Sequence, residues 1–114
     1  MGEFHKMKSG AMKDLDSKPR MDLIPSEIIE GLAEVFTYGA QKYDDHNWRK
    51  GLNHGIHYSA AMRHMANYWK GIDLDEESGI HHLKHAMVNL GMIITNIENG
   101  REDLDDRYGV NKNE

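Results

Sequence analysis

The residues best suited to chemistry lie together in Asp73-Leu74-Asp75-Glu76-Glu77-Ser78-Gly79-Ile80-His81-His82-Leu83-Lys84-His85. A short acidic turn runs directly into three histidines packed within five residues. Imidazole and carboxylate are the usual ligands of a divalent cation where thiols are missing, and this chain has no cysteine. His82 and His85 are three residues apart, so on a helix they share a face and can converge on one point. His81 is four residues from His85 and competes with His82, but His82 lies nearer the apolar side of that helix. The alternative is that carboxylates at a helix N-terminus simply complement its macrodipole, which accounts for at least one of Glu76 and Glu77. A calcium-binding EF-hand is excluded: Ser78 stands where its sharp turn needs glycine, and Lys84 where its bidentate glutamate belongs.

A second candidate is the segment Tyr38 to Gly51. It sets Lys42, Arg49 and Lys50 among Tyr38, Tyr43 and Trp48. Cations can hold phosphate oxygens and a ring can stack on a base. The competing reading is a surface loop anchored by Trp48. Arg63 and Lys70 add positive charge.

Helices must position these groups. The apolar period predicts a first helix over Ser26–Lys42, with Ile28, Leu32, Val35, Phe36 and Gly39 on one face. Glu27, Glu30, Glu34 and Gln41 fall opposite, so Glu34 reads as solvated rather than catalytic. A second helix is expected over about Ile56–Lys70, burying Tyr58, Ala61, Met62, Met65 and Trp69, with Gly71 as its stop. A third is expected over about Ser78–Asn99, capped by Ser78 or Asp75 and ended by Gly100. Its expected core face is Leu83, Ala86, Met87, Leu90, Ile93, Ile94 and Ile97. No segment alternates with period two for long enough to read as a strand. The expected fold is all-α, a small bundle of three long helices plus short elements, completed by oligomerisation. Residues 1–20 read as a flexible tail, 21–100 as the helical domain and 101–114 as a polar, frayed tail.

On the third helix His82, His85 and Asn89 form a stripe about 60° wide beside the apolar face. On the second, His57, His64 and Asn67 make a similar stripe. The two can meet across a cleft and, with Asp75 or Glu77, supply a cation with three or four ligands. A lone histidine is more often a helix-surface or satisfied core-edge residue; here several signals coincide.

Composition narrows the function classes. A chain of 114 residues is one small domain, and helix faces on so short a chain favour a homo-oligomer, a dimer or tetramer. The net charge of −5 argues against a nucleic-acid-binding module. No apolar run approaches the ~20 residues that a membrane span needs. The lack of cysteine fits the reducing cytoplasm.

Several runs occur in this order elsewhere: Lys18-Pro19-Arg20-Met21-Asp22-Leu23-Ile24-Pro25, Tyr38-Gly39-Ala40, Lys42-Tyr43 and His46-Asn47-Trp48-Arg49-Lys50-Gly51, then Arg63-His64, Glu77-Ser78-Gly79, His81-His82, His85-Ala86 and Asn89-Leu90. With them the chain resembles, over about residues 18–98, the phage-associated dATP/dGTP diphosphohydrolases, relatives of the MazG-like all-α nucleotide pyrophosphatases. The resemblance implies cleavage of a (deoxy)nucleoside triphosphate to monophosphate and pyrophosphate with a divalent metal, in the host cytoplasm if a phage encodes it. The glutamate-rich helix motif of MazG-like enzymes is missing, and His64, His82 and His85 stand in roughly equivalent places. The resulting expectation has His64, His82 and His85 binding Mg, Mn, Co or Zn, and Asp75 or Glu77 completing the shell or acting as general base. Lys42, Arg49 and Arg63 would neutralise phosphates, with Tyr43, Asn47, Trp48 and Asn89 as further substrate contacts. Two rivals remain. An HD-type phosphohydrolase needs a His-Asp dipeptide, which this chain lacks. A phage interaction module would use the histidines as a structural staple.

Overall fold

The computed structural model describes residues 4–14 and 18–110. Three long helices dominate, as expected: α1 (Ser26–Lys42), α2 (His54–Trp69) and α3 (His82–Glu98). Short 3-10 turns at Met21–Leu23, Asn47–Lys50 and Glu102–Leu104 punctuate the connections. The expectation of no strands needs one correction. Phe4–Lys6 (β1) and Met12–Asp14 (β2) pair antiparallel around a turn at Gly10. Three-residue strands are too short to leave a period-two signal.

Helix ends follow local chemistry. Pro25 precedes α1, where its missing N–H costs nothing. Gly71 and Gly100 take left-handed backbone just past α2 and α3 (φ 91° and 75°), which releases the chain from the helix. The start of α3 departs from expectation. Gly79 turns left-handed (φ 75°), and a bridge between Leu74 and His81 closes the acidic turn before the helix begins. The N-cap is therefore His81, whose Nδ1 accepts the Leu83 N–H at 3.0 Å. Ser78 and Asp75 cap nothing in α3 and serve each other instead.

The α2–α3 pair runs antiparallel, with His64 against His82 and His57 against Asn89. The core that results keeps Ala61 and Ala86 of the expected faces and departs from most of the rest. The buried residues of these two helices are Ala61, Ala86, Val88 and the polar His54, His57, His82, His85 and Asn96. Of the face expected to be buried in α2, only Ala61 is; Tyr58, Met62, Met65 and Trp69 are exposed, Trp69 by 86%. On α3, Leu83, Leu90, Ile94 and Ile97 are likewise exposed. Small residues at the contact let two helices approach closely, and the histidines flanking Ala61 and Ala86 are carried inward with them. On α1, Gly31 and Val35 are buried while Ile28 and Phe36 are exposed. A Cβ at Gly31 would meet the Lys84 stem at 3.2 Å, so α1 crosses α3 at a tight point where the lysine stem would have to give way to a side chain. Glu34 pairs there with Lys84 at the surface, a structural use of the one α1 glutamate considered for chemistry. Among the described residues, no helix is long and apolar enough to cross a membrane.

Candidate functional site

The acidic turn brings its carboxylates back against the seam. His64 Nδ1 on α2 lies 2.8 Å from His82 Nδ1 on α3. The His64 ring also stacks on His85, with centroids 4.6 Å apart and planes 10° from parallel. Asp75 completes the group: one ligand atom from each of His64, Asp75 and His82 lies within 4.8 Å of the others. His85 sits beside this trio rather than in it, its Nε2 2.7 Å from Ser78 Oγ and 3.9 Å from Asp75 Oδ2. Ser78 ties the cluster together by donating both its backbone N–H and its hydroxyl to Asp75 Oδ2, each at 2.8 Å. Nothing in the sequence marked Ser78 for this role, since it read as a helix cap.

The charge states suit metal ligation. Burial pushes the His64 and His85 imidazoles below their ordinary pKa, and neighbouring histidines push in the same direction. Both rings are thus held in the neutral form that binds cations. At Asp75 burial opposes ionisation, but the Ser78 hydrogen bonds and the adjacent imidazoles outweigh it and hold the carboxyl below its ordinary value. Two histidines and a carboxylate form a donor set fitted to a divalent transition metal.

Glu77, on the same side of the cavity, reaches to α1. It accepts hydrogen bonds from the Tyr38 hydroxyl and the Lys42 ammonium, both on α1. Those two donors lower its pKa, and reciprocally the pKa values of Tyr38 and Lys42 are raised. The acidic turn is therefore latched to α1 as well as to the seam. Tyr38 emerged from the sequence only as one aromatic among several.

A cavity of about 1190 Å³ opens in front of this wall. His64, Asp75, Glu77 and His85 line one side, while His82, 4% exposed, lies behind them. Lys42, Tyr43, Asn47, Trp48, Arg49, Arg63 and Asn89 all line the cavity, as do Asp44, Asp45 and His46. Trp48 packs against Phe36 at 6.0 Å between centroids, and the Arg49 guanidinium lies 4.6 Å over the Trp48 ring. Arg63 donates to Ser59 Oγ at 3.0 Å. Deeper in, Asn89 Nδ2 donates to the His85 carbonyl at 3.0 Å, which turns its Oδ1 toward His57 Nδ1 at 3.1 Å. His57 must then donate from Nδ1, which fixes its tautomer.

The chain matches the family described as dATP/dGTP diphosphohydrolase, N-terminal, over residues 8–107. It is 38% identical over 90 residues to a dATP/dGTP diphosphohydrolase of Salmonella phage PMBT28, an alignment covering 79% of this chain and 30% of that protein. No solved structure matches. With its helices, its histidine cluster and its cation-lined cavity all falling inside the matched region, the chain belongs to the dATP/dGTP diphosphohydrolase family, in the part described as N-terminal.

Proposed function

We propose that this chain is a metal-dependent nucleotide hydrolase that cleaves a (deoxy)nucleoside triphosphate to the monophosphate and pyrophosphate. The observation that carries this reading is the His64–Asp75–His82 group at one side of a cavity that also presents Lys42, Arg49 and Arg63. His64, Asp75 and His82 would hold the cation, with His85 as a neighbouring donor. A bound divalent metal supplies positive charge to a phosphoryl group and acidifies water. Imidazole donors favour manganese, cobalt or zinc over magnesium.

The chain's own groups supply the rest. Glu77, kept ionised by Lys42 and Tyr38, is the base that takes a proton from water as its oxygen adds to the α-phosphorus. The bond from that phosphorus to the bridging oxygen breaks, and pyrophosphate leaves with the bridging oxygen. Lys42, Arg49 and Arg63 offset the charge on the phosphates. Tyr43 and Trp48 offer rings to the base, and Asn47 and Asn89 offer amides to the sugar or base.

The active form is a homo-oligomer, in keeping with the surface of the chain. Tyr58, Met62, Trp69, Leu90, Ile94 and Ile97 stand exposed on α2 and α3.

The test is a panel of nucleoside triphosphates assayed with Mg, Mn, Co and Zn, with pyrophosphate distinguished from phosphate release. Pyrophosphate as the inorganic product supports the reading. Triphosphate release would point to HD-type chemistry, and no turnover with any metal at high enzyme would leave the histidine group a structural staple.

A further inference from the structure

Beyond α3 the chain turns back: Arg101 N–H bonds to the Asn96 carbonyl at 3.0 Å. Residues 101–107, read from sequence as part of a polar tail, instead form a strap over the start of α2. Leu104 is buried, 6% exposed. Asp106 Oδ1 accepts the Gly55 N–H at 2.8 Å, one of the first-turn amides that have no partner within the helix. Asp105 Oδ1 lies 3.7 Å from His54 Nδ1. The Arg101 guanidinium is held by both oxygens of Asp103 at 3.0 Å, and its Nη1 reaches the Arg49 carbonyl at 3.4 Å.

The strap passes close enough to leave its mark on two glycines. A Cβ at Gly55 would lie 2.9 Å from Asp106 Oδ2. At Gly51, whose φ of 117° already favours glycine, a Cβ would lie 2.7 Å from Arg101 Nη2 and 3.2 Å from Leu104 Cδ2. The strap thus grips both ends of the segment from Arg49 to Gly55. Arg101 is no phosphate ligand itself, since it does not line the cavity and Asp103 occupies it.

We propose that the strap Arg101–Arg107 is a positioning element that ties the Asn47–Gly51 turn to α3 and holds Arg49 and Trp48 at a fixed reach from the histidine cluster. The turn itself hangs between α1 and α2, whereas the strap continues directly from the helix carrying His82 and His85. One side of the cavity is thereby set against the other. The ligand held between them rests on the nucleotide reading above; the mechanical role does not.

The experiment separates the two. Trp48 and Trp69 are the two tryptophans, and Trp69 is exposed and off the cavity, so a Trp69→Phe background makes Trp48 the reporter. In that background, Arg101→Ala and Asp106→Ala should raise acrylamide quenching of Trp48 by about twofold while circular dichroism stays helical. Arg101→Lys should fall between wild type and Arg101→Ala. Nucleotide KM should rise about tenfold with kcat changed less than about twofold, as expected when positioning of a binding group is loosened. Unchanged quenching in the folded Arg101→Ala and Asp106→Ala proteins overturns the proposal, as does raised quenching with unchanged KM. A wild type that binds no nucleotide removes the functional reading, and the quenching comparison still decides the strap.

Discussion

His64 and His82 approach through their Nδ1 atoms at 2.8 Å from two different helices, and at that distance one ring must donate while the other accepts. Both cannot be cationic without repulsion inside a buried seam. A divalent cation bound as proposed would take the place of the shared proton, with Asp75 alongside to balance its charge.

Removing one of these rings should empty the site. His82→Ala is expected to weaken Mn or Zn binding by at least about a hundredfold, since even groups supporting a ligand cost 10- to 100-fold when mutated. Titration calorimetry on protein purified without a histidine tag measures it. Retention of wild-type affinity would exclude His82 as a ligand.

Acid should weaken the fold. The folded-state pKa values of His64 and His85 lie below the ordinary 6.5. As pH falls through about 6.5, the unfolded chain takes up protons that the folded chain refuses, so stability drops and continues to drop until the depressed values are passed. Above that range these two groups contribute no slope. Denaturant midpoints of metal-free protein between pH 8 and pH 5 check the sign, and a His64→Gln variant should flatten the acid limb.

Arg49→Ala and Arg63→Ala should each raise nucleotide KM by about tenfold, the range for removing one charge-assisted hydrogen bond to phosphate at a partly exposed site. Melting temperature should move little, because Arg49 is exposed and, among the described residues, Arg63 donates to Ser59 within its own helix. A fall in kcat with unchanged KM would assign either residue to the reacting phosphate instead.

The exposed stripe Leu83, Leu90, Ile94 and Ile97 predicts self-association. Ile94→Asp places a charge on a residue that is 59% exposed within one chain, so a monomeric protein would tolerate it. Light scattering should show a dimer or larger assembly for wild type and a smaller species for the variant. A wild type that is monomeric at high concentration would contradict the oligomer.

Gly55→Ala sets two effects against each other. Alanine is favoured over glycine within a helix by about 1 kcal/mol, yet its Cβ would press on Asp106 at 2.9 Å. The expected result is no gain in melting temperature and faster amide exchange in residues 101–107. A clear stabilisation would show that the strap yields without cost.

The limits of α1 were legible because proline and a clean 3.6-residue period are local signals, and the same holds for the glycine stops at Gly71 and Gly100. The start of α3 was not, because the Leu74–His81 bridge and the use of Ser78 by Asp75 and His85 are decided by tertiary contacts. Spacing brought His64, His82 and His85 to attention, with Asp75 or Glu77 beside them; the structure gathers His64, His82 and Asp75 and leaves His85 next to that trio. Which face would be buried was misread. Periodicity reveals an apolar stripe in search of cover but not what covers it, and in α2 and α3 the small-residue and histidine face won the intramolecular contact.

The bridge between Leu74 and His81 has one more consequence. It closes the acidic turn into a loop of fixed circumference, so the chain entropy of bringing Asp75 to the histidines is spent during folding. The cation proposed for this site would find donors already gathered, and its affinity should reflect desolvation and proton release rather than any ordering of the backbone.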